Sequence, residues 1–305
     1  MKQIAVVGAG KWGQALAHAL SGRNDVVLTS RTPRDLPGFV PLEEALKREM
    51  VVMAISAQAV RAWLKEHGDF GNAQHILVAS KGIEAASGAL LNEIFEEFVE
   101  PSRLTYLSGP SFAKEVMQSL PTALVLNSRN RLAAQMWADL FPDFIKTYTS
   151  TDVVGAEVGG AYKNVIAIAA GICEGLRLGA NAKAALVARG LVEMARFGRH
   201  FDAKEETFLS LSGAGDLFLT ANSTLSRNYR VGLGLAEGKS MEEILEELGE
   251  VAEGIGTAEA LHRISLNDDL YLPIAREVYE ILRGKDPRDS IKDLLSHRRD
   301  GWKSI

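Results

Sequence analysis

The sequence predicts an α/β fold: a doubly wound, mostly parallel sheet, followed by an all-helical second domain. Three observations carry this. Short apolar runs alternate with helix-like stretches up to about residue 150, the pattern of a sheet covered on both faces. Strand-like runs then disappear. Between the first strand and the first helix stands G-A-G-K-W-G, with Gly8, Gly10 and Gly13 on the spacing of a dinucleotide-binding turn. The fold is therefore Rossmann-like, with domains over 1–150 and 151–305.

The strand over 4–7 reads I-A-V-V and leads into the glycines; a helix follows over 14–20. Gly8 supplies the tight turn, Gly10 the approach to a pyrophosphate, and Gly13 the close packing of helix on strand. The helix N-terminus offers unpaired N–H groups to phosphate. The second strand, 26–30, ends at Arg31, with Arg34 three residues on. An acid about twenty residues after the glycines selects NAD, and an Arg there accommodates the extra phosphate of NADP. Arg31 therefore favours NADP(H), with NAD(H) possible, unless it is a solvated surface residue. Prolines 33, 37 and 41 mark an extended loop before a short helix, 42–48. Strands follow over 50–55, 75–80, 104–107, 122–126 and 144–147. Helices are expected over 59–66, 89–98, 112–117 and 131–140. Beyond residue 150 the helices are 152–178, 181–201, 241–248, 257–266 and 273–282.

The composition is that of an ordinary globular chain, 47% hydrophobic and 24% charged. A net charge of −5, with its 34 Lys and Arg dispersed, gives no reason to expect a nucleic-acid partner. No apolar run reaches the ~20 residues of a membrane span, and no secretory leader opens the chain, so no stable membrane anchor is expected. The only cysteine, Cys173, excludes an internal disulfide and fits a reducing, cytoplasmic setting. Its apolar helical context reads as a buried, inert thiol. The histidines at 18, 67, 75, 200, 262 and 297 make no pair at metal-ligand spacing, so no metal site is expected.

Ligands of open parallel sheets bind beyond the carboxyl ends of the strands. That edge carries Lys81, from S-K-G-I-E, and Gly109, Pro110 and Ser111, from S-G-P-S-F. One cation, one hydroxyl and free N–H groups suit a small oxyanionic ligand, although a lone loop lysine is more often solvated. Lys163 is unusual. Its helical neighbours are Gly159, Gly160, Ile166 and Ala167, which is no solvated face. A desolvated lysine has a lowered pKa and can exchange a proton near neutrality; alternatively it snorkels out of a packed helix. S-G-A-G-D-L (212–217) reads as a tight turn presenting Asp216, which can hold the Lys163 ammonium or cap the next helix. Ser226, Arg227 and Asn228 form a good phosphate-binding set. Glu253, in V-A-E-G, can accept a ribose or carboxamide hydrogen bond or simply lie in a loop.

Taken in order, G-A-G-K-W-G (8–13), S-K-G-I-E (80–84), S-G-P-S-F-A-K-E-V (108–116), Y-K-N-V-I-A-I-A-A-G (162–171), L-S-G-A-G-D-L (211–217), S-R-N (226–228) and V-A-E-G (251–254) span most of the chain. The series resembles NAD(P)-dependent glycerol-3-phosphate dehydrogenase of the bacterial type. The resemblance implies that Lys163 is the general acid–base on glycerol 3-phosphate and dihydroxyacetone phosphate. It implies that Lys81, Gly109, Ser111, Asp216, Ser226, Arg227 and Asn228 hold the substrate. Lys11, Trp12, Arg31, Lys81, Ala113, Arg227, Val251 and Glu253, with the glycines, would line the cofactor. It also implies a homodimer that supplies glycerol 3-phosphate for phospholipid synthesis. The chain departs from the family pattern at Lys11, in the short 32–47 segment, and in I-S-A-Q (55–58), where a proline is common.

Two other readings compete. A dehydrogenase of the same fold acting on a 3-hydroxyacid or ketopantoate would replace the S-R-N cluster with carboxylate readers. A non-catalytic nucleotide sensor would have no use for Lys163.

Overall fold

The structure is a computed structural model and describes residues 1–71 and 74–296. One sheet contains β1 (Gln3–Val7), β2 (Asp25–Thr29), β3 (Met50–Met53), β4 (His75–Val78), β5 (Leu104–Ser108), β6 (Thr122–Asn127) and β7 (Ile145–Ser150). Every apolar run expected to be a strand is one. The spatial order is β2-β1-β3-β4-β5-β6-β7. All neighbours are parallel except β5 and β6. The reversal has a local cause. The only helix in the Gly109–Pro121 connection between β5 and β6 has five residues, Ala113–Met117, about 7.5 Å at 1.5 Å per residue, too short to carry the chain back along the sheet as a parallel crossover helix does.

The sheet is flanked by α1 (Lys11–Ser21), α2 (Leu42–Ala45), α3 (Val60–His67), α4 (Leu91–Glu96), α5 (Ala113–Met117) and α6 (Arg131–Ala138). Strand side chains alternate between the faces. Ile4 and Val6 pack with Leu16 and Leu20 of α1 and Trp137 of α6. Val7, Met53 and Val78 pack with Leu64 of α3 and Ile94 and Phe95 of α4 on the other face. Chain order reverses between β2-β1 and β3, so the topological switch point lies where β1 and β3 end.

The second half contains α7 (Val153–Gly175), α8 (Ala180–His200), α9 (Glu205–Phe208), one π-helical turn (Leu211–Gly215), α10 (Asp216–Ala221), α11 (Arg227–Ala236), α12 (Met241–Leu248), α13 (Glu253–Asn267), α14 (Pro273–Leu282) and α15 (Pro287–Ser296). Helix α7 is apolar around its whole circumference and is buried accordingly: Val158, Ala161, Val165, Ile166 and Ile168 are all fully enclosed. Asp152 caps it, accepting from Gly155 N–H at 3.1 Å, and its second oxygen takes the Thr207 hydroxyl at 2.6 Å.

The S-R-N cluster opens a helix, α11. Two expectations are corrected. The S-G-A-G-D-L stretch is no tight turn: its first residues form the π turn, which runs directly into α10. Helix α13 begins at Glu253, one turn before the expected 257, because Gly254 is packed and not a breaker. A Cβ there would lie 2.6 Å from Asn228 Oδ1.

Candidate active site

The glycine turn sits at the switch point, and its three glycines differ in their surroundings. Gly8 has φ +115°, and a Cβ there would come within 2.4 Å of Ala54 O. At Gly13 a Cβ would fall 1.8 Å from Gly8 O, whereas at Gly10 it would meet nothing within 4 Å. The first two positions are closed by the fold itself. The third opens to the space where a pyrophosphate would meet the α1 N-terminus.

Helix α7 carries Lys163. Its ammonium donates to Asp216 Oδ1, while Asp216 Oδ2 accepts from Lys81 Nζ at 2.8 Å. Asp216 is 1% exposed. Two lysines from distant parts of the chain thus share one buried carboxylate. Lys81 Nζ also reaches Gly109 O at 3.4 Å. Burial lowers the Lys163 pKa to about 8, opposed by Asp216 and assisted by the nearby Lys81 charge. Burial alone would raise the Asp216 carboxyl, but the two ammoniums hold it below its ordinary value.

A glycine of α7 makes this cluster possible. A Cβ at Gly159 would lie 2.5 Å from Ser212 O, so its absence lets the π turn settle against α7 and deliver Asp216. At Gly160 a Cβ would meet the Lys81 methylenes at 3.4 Å, an ordinary van der Waals contact. The π turn is also pinned to the sheet: Ser212 Oγ and Ser108 Oγ lie 2.7 Å apart, and Asn127 Nδ2 donates to Ser108 Oγ at 2.8 Å.

The other expected residues divide by what their polar atoms already do. Ser111 Oγ donates to Gly109 O at 3.2 Å, and Ser226 Oγ caps α11 by accepting from Tyr229 N–H at 3.2 Å. Asn228 Oδ1 accepts from Gly254 N–H at 2.9 Å, which turns its amide nitrogen into the donor left for an oxyanion. Trp12 Nε1 donates to Ala79 O at 3.2 Å. That bond ties the start of α1 to the end of β4, just before Lys81, and leaves only the ring to face a cofactor. Ala113 is the first residue of α5 and joins the same apolar cluster as Trp12. Arg31 and Arg34 are exposed beyond β2, and Val251 is 56% exposed. Arg227 and Lys11 both reach Glu250, Arg227 at 3.0 Å.

Glu253 Oε1 accepts from Ala57 N–H at 3.3 Å, at the exit of β3. Its Oε2 is buried without a partner, and burial raises the carboxyl pKa. An orphaned buried oxygen beside the switch point fits a donor supplied by a cofactor, such as a ribose hydroxyl or a carboxamide.

Sequence reasoning missed Thr220. Its hydroxyl donates to Asp216 O at 2.7 Å and lies 3.5 Å from Oδ1. The four-residue spacing in D-L-F-L-T signals it only once α10 is known to be a helix. Glu250 was also missed, and the one hint was the family departure at Lys11. Among the described residues no group of His, Cys, Asp and Glu could hold a metal; His297 lies outside them. Among the described residues no helix is long and apolar enough to cross a membrane.

A glycine turn of dinucleotide spacing and a buried lysine–carboxylate–lysine cluster beyond the strand ends suit a nicotinamide-dependent dehydrogenase. The family described as NAD-dependent glycerol-3-phosphate dehydrogenase matches this chain twice, its N-terminus at residues 26–134 and its C-terminus at 152–292. A glycerol-3-phosphate dehydrogenase [NAD(P)+] of Sulfurimonas denitrificans is 64% identical over 97% of this chain and 100% of its own. The crystal structure of glycerol-3-phosphate dehydrogenase from Coxiella burnetii is 30% identical. It superposes with a TM-score of 0.90, covering 97% of this chain and 99% of that one. The chain belongs to the NAD-dependent glycerol-3-phosphate dehydrogenase family. D-mandelate dehydrogenase in complex with NADH, 13% identical with a TM-score of 0.63 over 94% of this chain and 99% of its own, shares the fold alone.

Proposed function

We propose that this enzyme interconverts sn-glycerol 3-phosphate and dihydroxyacetone phosphate with NAD(P)(H), and that Lys163 moves the proton. The observation that carries the reading is the buried Lys163–Asp216–Lys81 cluster, whose Lys81 follows the carboxyl end of β4. In oxidation, neutral Lys163 accepts the proton of the secondary hydroxyl. In reduction, its ammonium donates to the carbonyl oxygen. A pKa of about 8 leaves both forms accessible near neutrality. Lys81 holds a second positive charge beside the same oxygen, and Asp216 fixes both amines in place. Cationic groups held in a water-poor site stabilise developing oxyanion charge far better than in water. Arg227 and the amide of Asn228 take the substrate phosphate, supported by Ser111 and Ser226 at the strand and helix ends. Gly8, Gly10 and Gly13, with Lys11, Trp12, Ala113, Val251 and Glu253, would hold the dinucleotide, which supplies or accepts the hydride when bound.

NADPH oxidation with dihydroxyacetone phosphate tests the base directly. Lys163→Ala is expected to lose on the order of 10²–10⁴ in kcat, the usual worth of general acid–base catalysis. Equal rates in variant and parent would remove Lys163 from the mechanism.

NADP(H) is the preferred cofactor in this reading, because Arg31 stands at the end of β2, where an acid reads the ribose 2′-hydroxyl in NAD-selective folds, and Arg34 follows it; Asp25 is engaged with Arg48. Arg31→Asp is expected to shift preference toward NADH, and an unchanged NADPH/NADH ratio of kcat/KM counts against it. The family resemblance supports a cytoplasmic homodimer that supplies glycerol 3-phosphate for phospholipid synthesis. Sedimentation would give the mass of the assembly.

A further inference from the structure

Glu250 lies in the connection between α12 and α13, the same loop that delivers Val251 and Glu253. Its two oxygens have different partners. Oε1 meets the ammonium of Lys11, in the first turn of α1, and Oε2 meets Arg227 Nη1 at 3.0 Å, in the first turn of α11. One carboxylate therefore joins the sheet half of the molecule to the helical half. It also sits on two cations that stand at the openings of two helices. Helix openings with adjacent cations are where phosphate groups bind, and a carboxylate is the wrong neighbour for a phosphate. Lys11 is exposed over 77% of its side chain, so it is free to swing between partners.

We infer that Glu250 is a positioning residue that stands in for phosphate: it occupies Lys11 and Arg227 in the free enzyme and is displaced when the dinucleotide pyrophosphate takes Lys11. Its departure also frees Arg227 for the substrate phosphate, so the two ligands bind cooperatively through one side chain. By linkage the coupling is reciprocal. The inference rests on the pyrophosphate docking at the start of α1 and on Arg227 reading the substrate phosphate.

The test uses the full enzyme, with NADPH affinity read by nicotinamide fluorescence. Glu250→Gln keeps the shape and removes the charge. It is expected to tighten NADPH about two- to fivefold, the range for an exposed or half-buried ion pair. The gain is expected to vanish in a Lys11→Met background. A second arm measures dihydroxyacetone phosphate binding by calorimetry with and without NADP⁺, a pair that cannot react. The oxidised cofactor should tighten the phosphate ester in the parent and do so markedly less in Glu250→Gln. Weaker or unchanged NADPH binding in Glu250→Gln overturns the inference, since a merely structural clasp would lose affinity when cut. Undiminished coupling in the second arm overturns it as well. If Lys11→Met alone leaves NADPH affinity unchanged, the docking assumption has failed instead, and the inference falls with it.

Discussion

Replacing Asp216 by Asn is the sharpest test of the proposed chemistry, because shape is conserved and one charge is removed. In the parent, the carboxylate lies against two ammoniums, 2.8 Å from that of Lys81. At ~4 Å, and at the effective dielectric of ~20 that describes such sites, each ion pair is worth about 4 kcal/mol. Breaking a buried pair costs about 3–5 kcal/mol when the surviving charge stays buried. The protein has a cheaper response, which is to release the proton of Lys163. Of the forces on that lysine, the Asp216 charge raises its pKa, while burial and the Lys81 charge lower it. Without the carboxylate only the lowering forces remain, so the pKa falls below the parent's value of about 8. Oxidation of glycerol 3-phosphate needs the neutral amine, and its rising limb therefore moves to lower pH. Reduction needs the ammonium, and each unit by which the pKa drops below the assay pH removes about tenfold of that form. The assay is kcat against pH in both directions, with circular dichroism to confirm folding. A limb that stays in place, or moves upward, refutes the pairing of Asp216 with the titrating group.

Two further changes probe the scaffold. Gly159→Ala puts a methyl group 2.5 Å from Ser212 O; we expect about 1–3 kcal/mol of lost stability, as for overpacked cores, and a fall in kcat as the π turn retreats, read by urea denaturation and steady-state kinetics. Glu157, on α7, accepts from Asn92 N–H at 2.8 Å, and burial raises its pKa from 4.5 to about 8. The unfolded chain therefore ionises first, and this residue withdraws stability as pH rises from about 4.5 to about 8. Glu157→Gln should abolish that loss, so its urea midpoint should gain on the parent's steadily across this window; parallel midpoints would show that the carboxyl is not held neutral.

Much of the fold was legible because its signals are local. Buried parallel strands read as unbroken apolar runs, and β1, β3 and β4 are such runs. Helix α12 fell where expected because both ends are marked: the Ser240 hydroxyl accepts from Glu243 N–H at 3.2 Å, and Gly249 closes the helix with φ 64°. The segment holding α9, the π turn, α10 and α11 was not legible as helix. Its S-G-A-G-D-L stretch reads as a tight turn, and packing overrides that reading by seating Gly213 against the Phe208 backbone. The surroundings of Lys163 were visible, since Gly159 and Gly160 stand at helical spacing from it. Its partners were only half visible. Asp216 is 53 residues from Lys163 and 135 from Lys81, and no sequence period encodes such distances. The commitments of Asn228 to Gly254 and of Trp12 to Ala79 were hidden for the same reason.

The lysine's environment also explains why α7 carries Gly159 where helix propensity argues for alanine. A glycine costs the helix about 1 kcal/mol relative to Ala, and α7 has a long buried apolar surface from which that cost can be met. Gly159 admits the backbone of the π turn and hence Asp216, since a Cβ there would lie 2.5 Å from Ser212 O. The principal partner of Lys163 therefore arrives through a gap placed one turn before it on the same face. The π turn that fills the gap also covers that face of α7, where burial lowers the Lys163 pKa. Pairing and desolvation thus share a structural origin. A substitution at Gly159 should disturb the position and the titration of the lysine together, so a variant that moved Asp216 yet left the pH profile intact would contradict this account of the site.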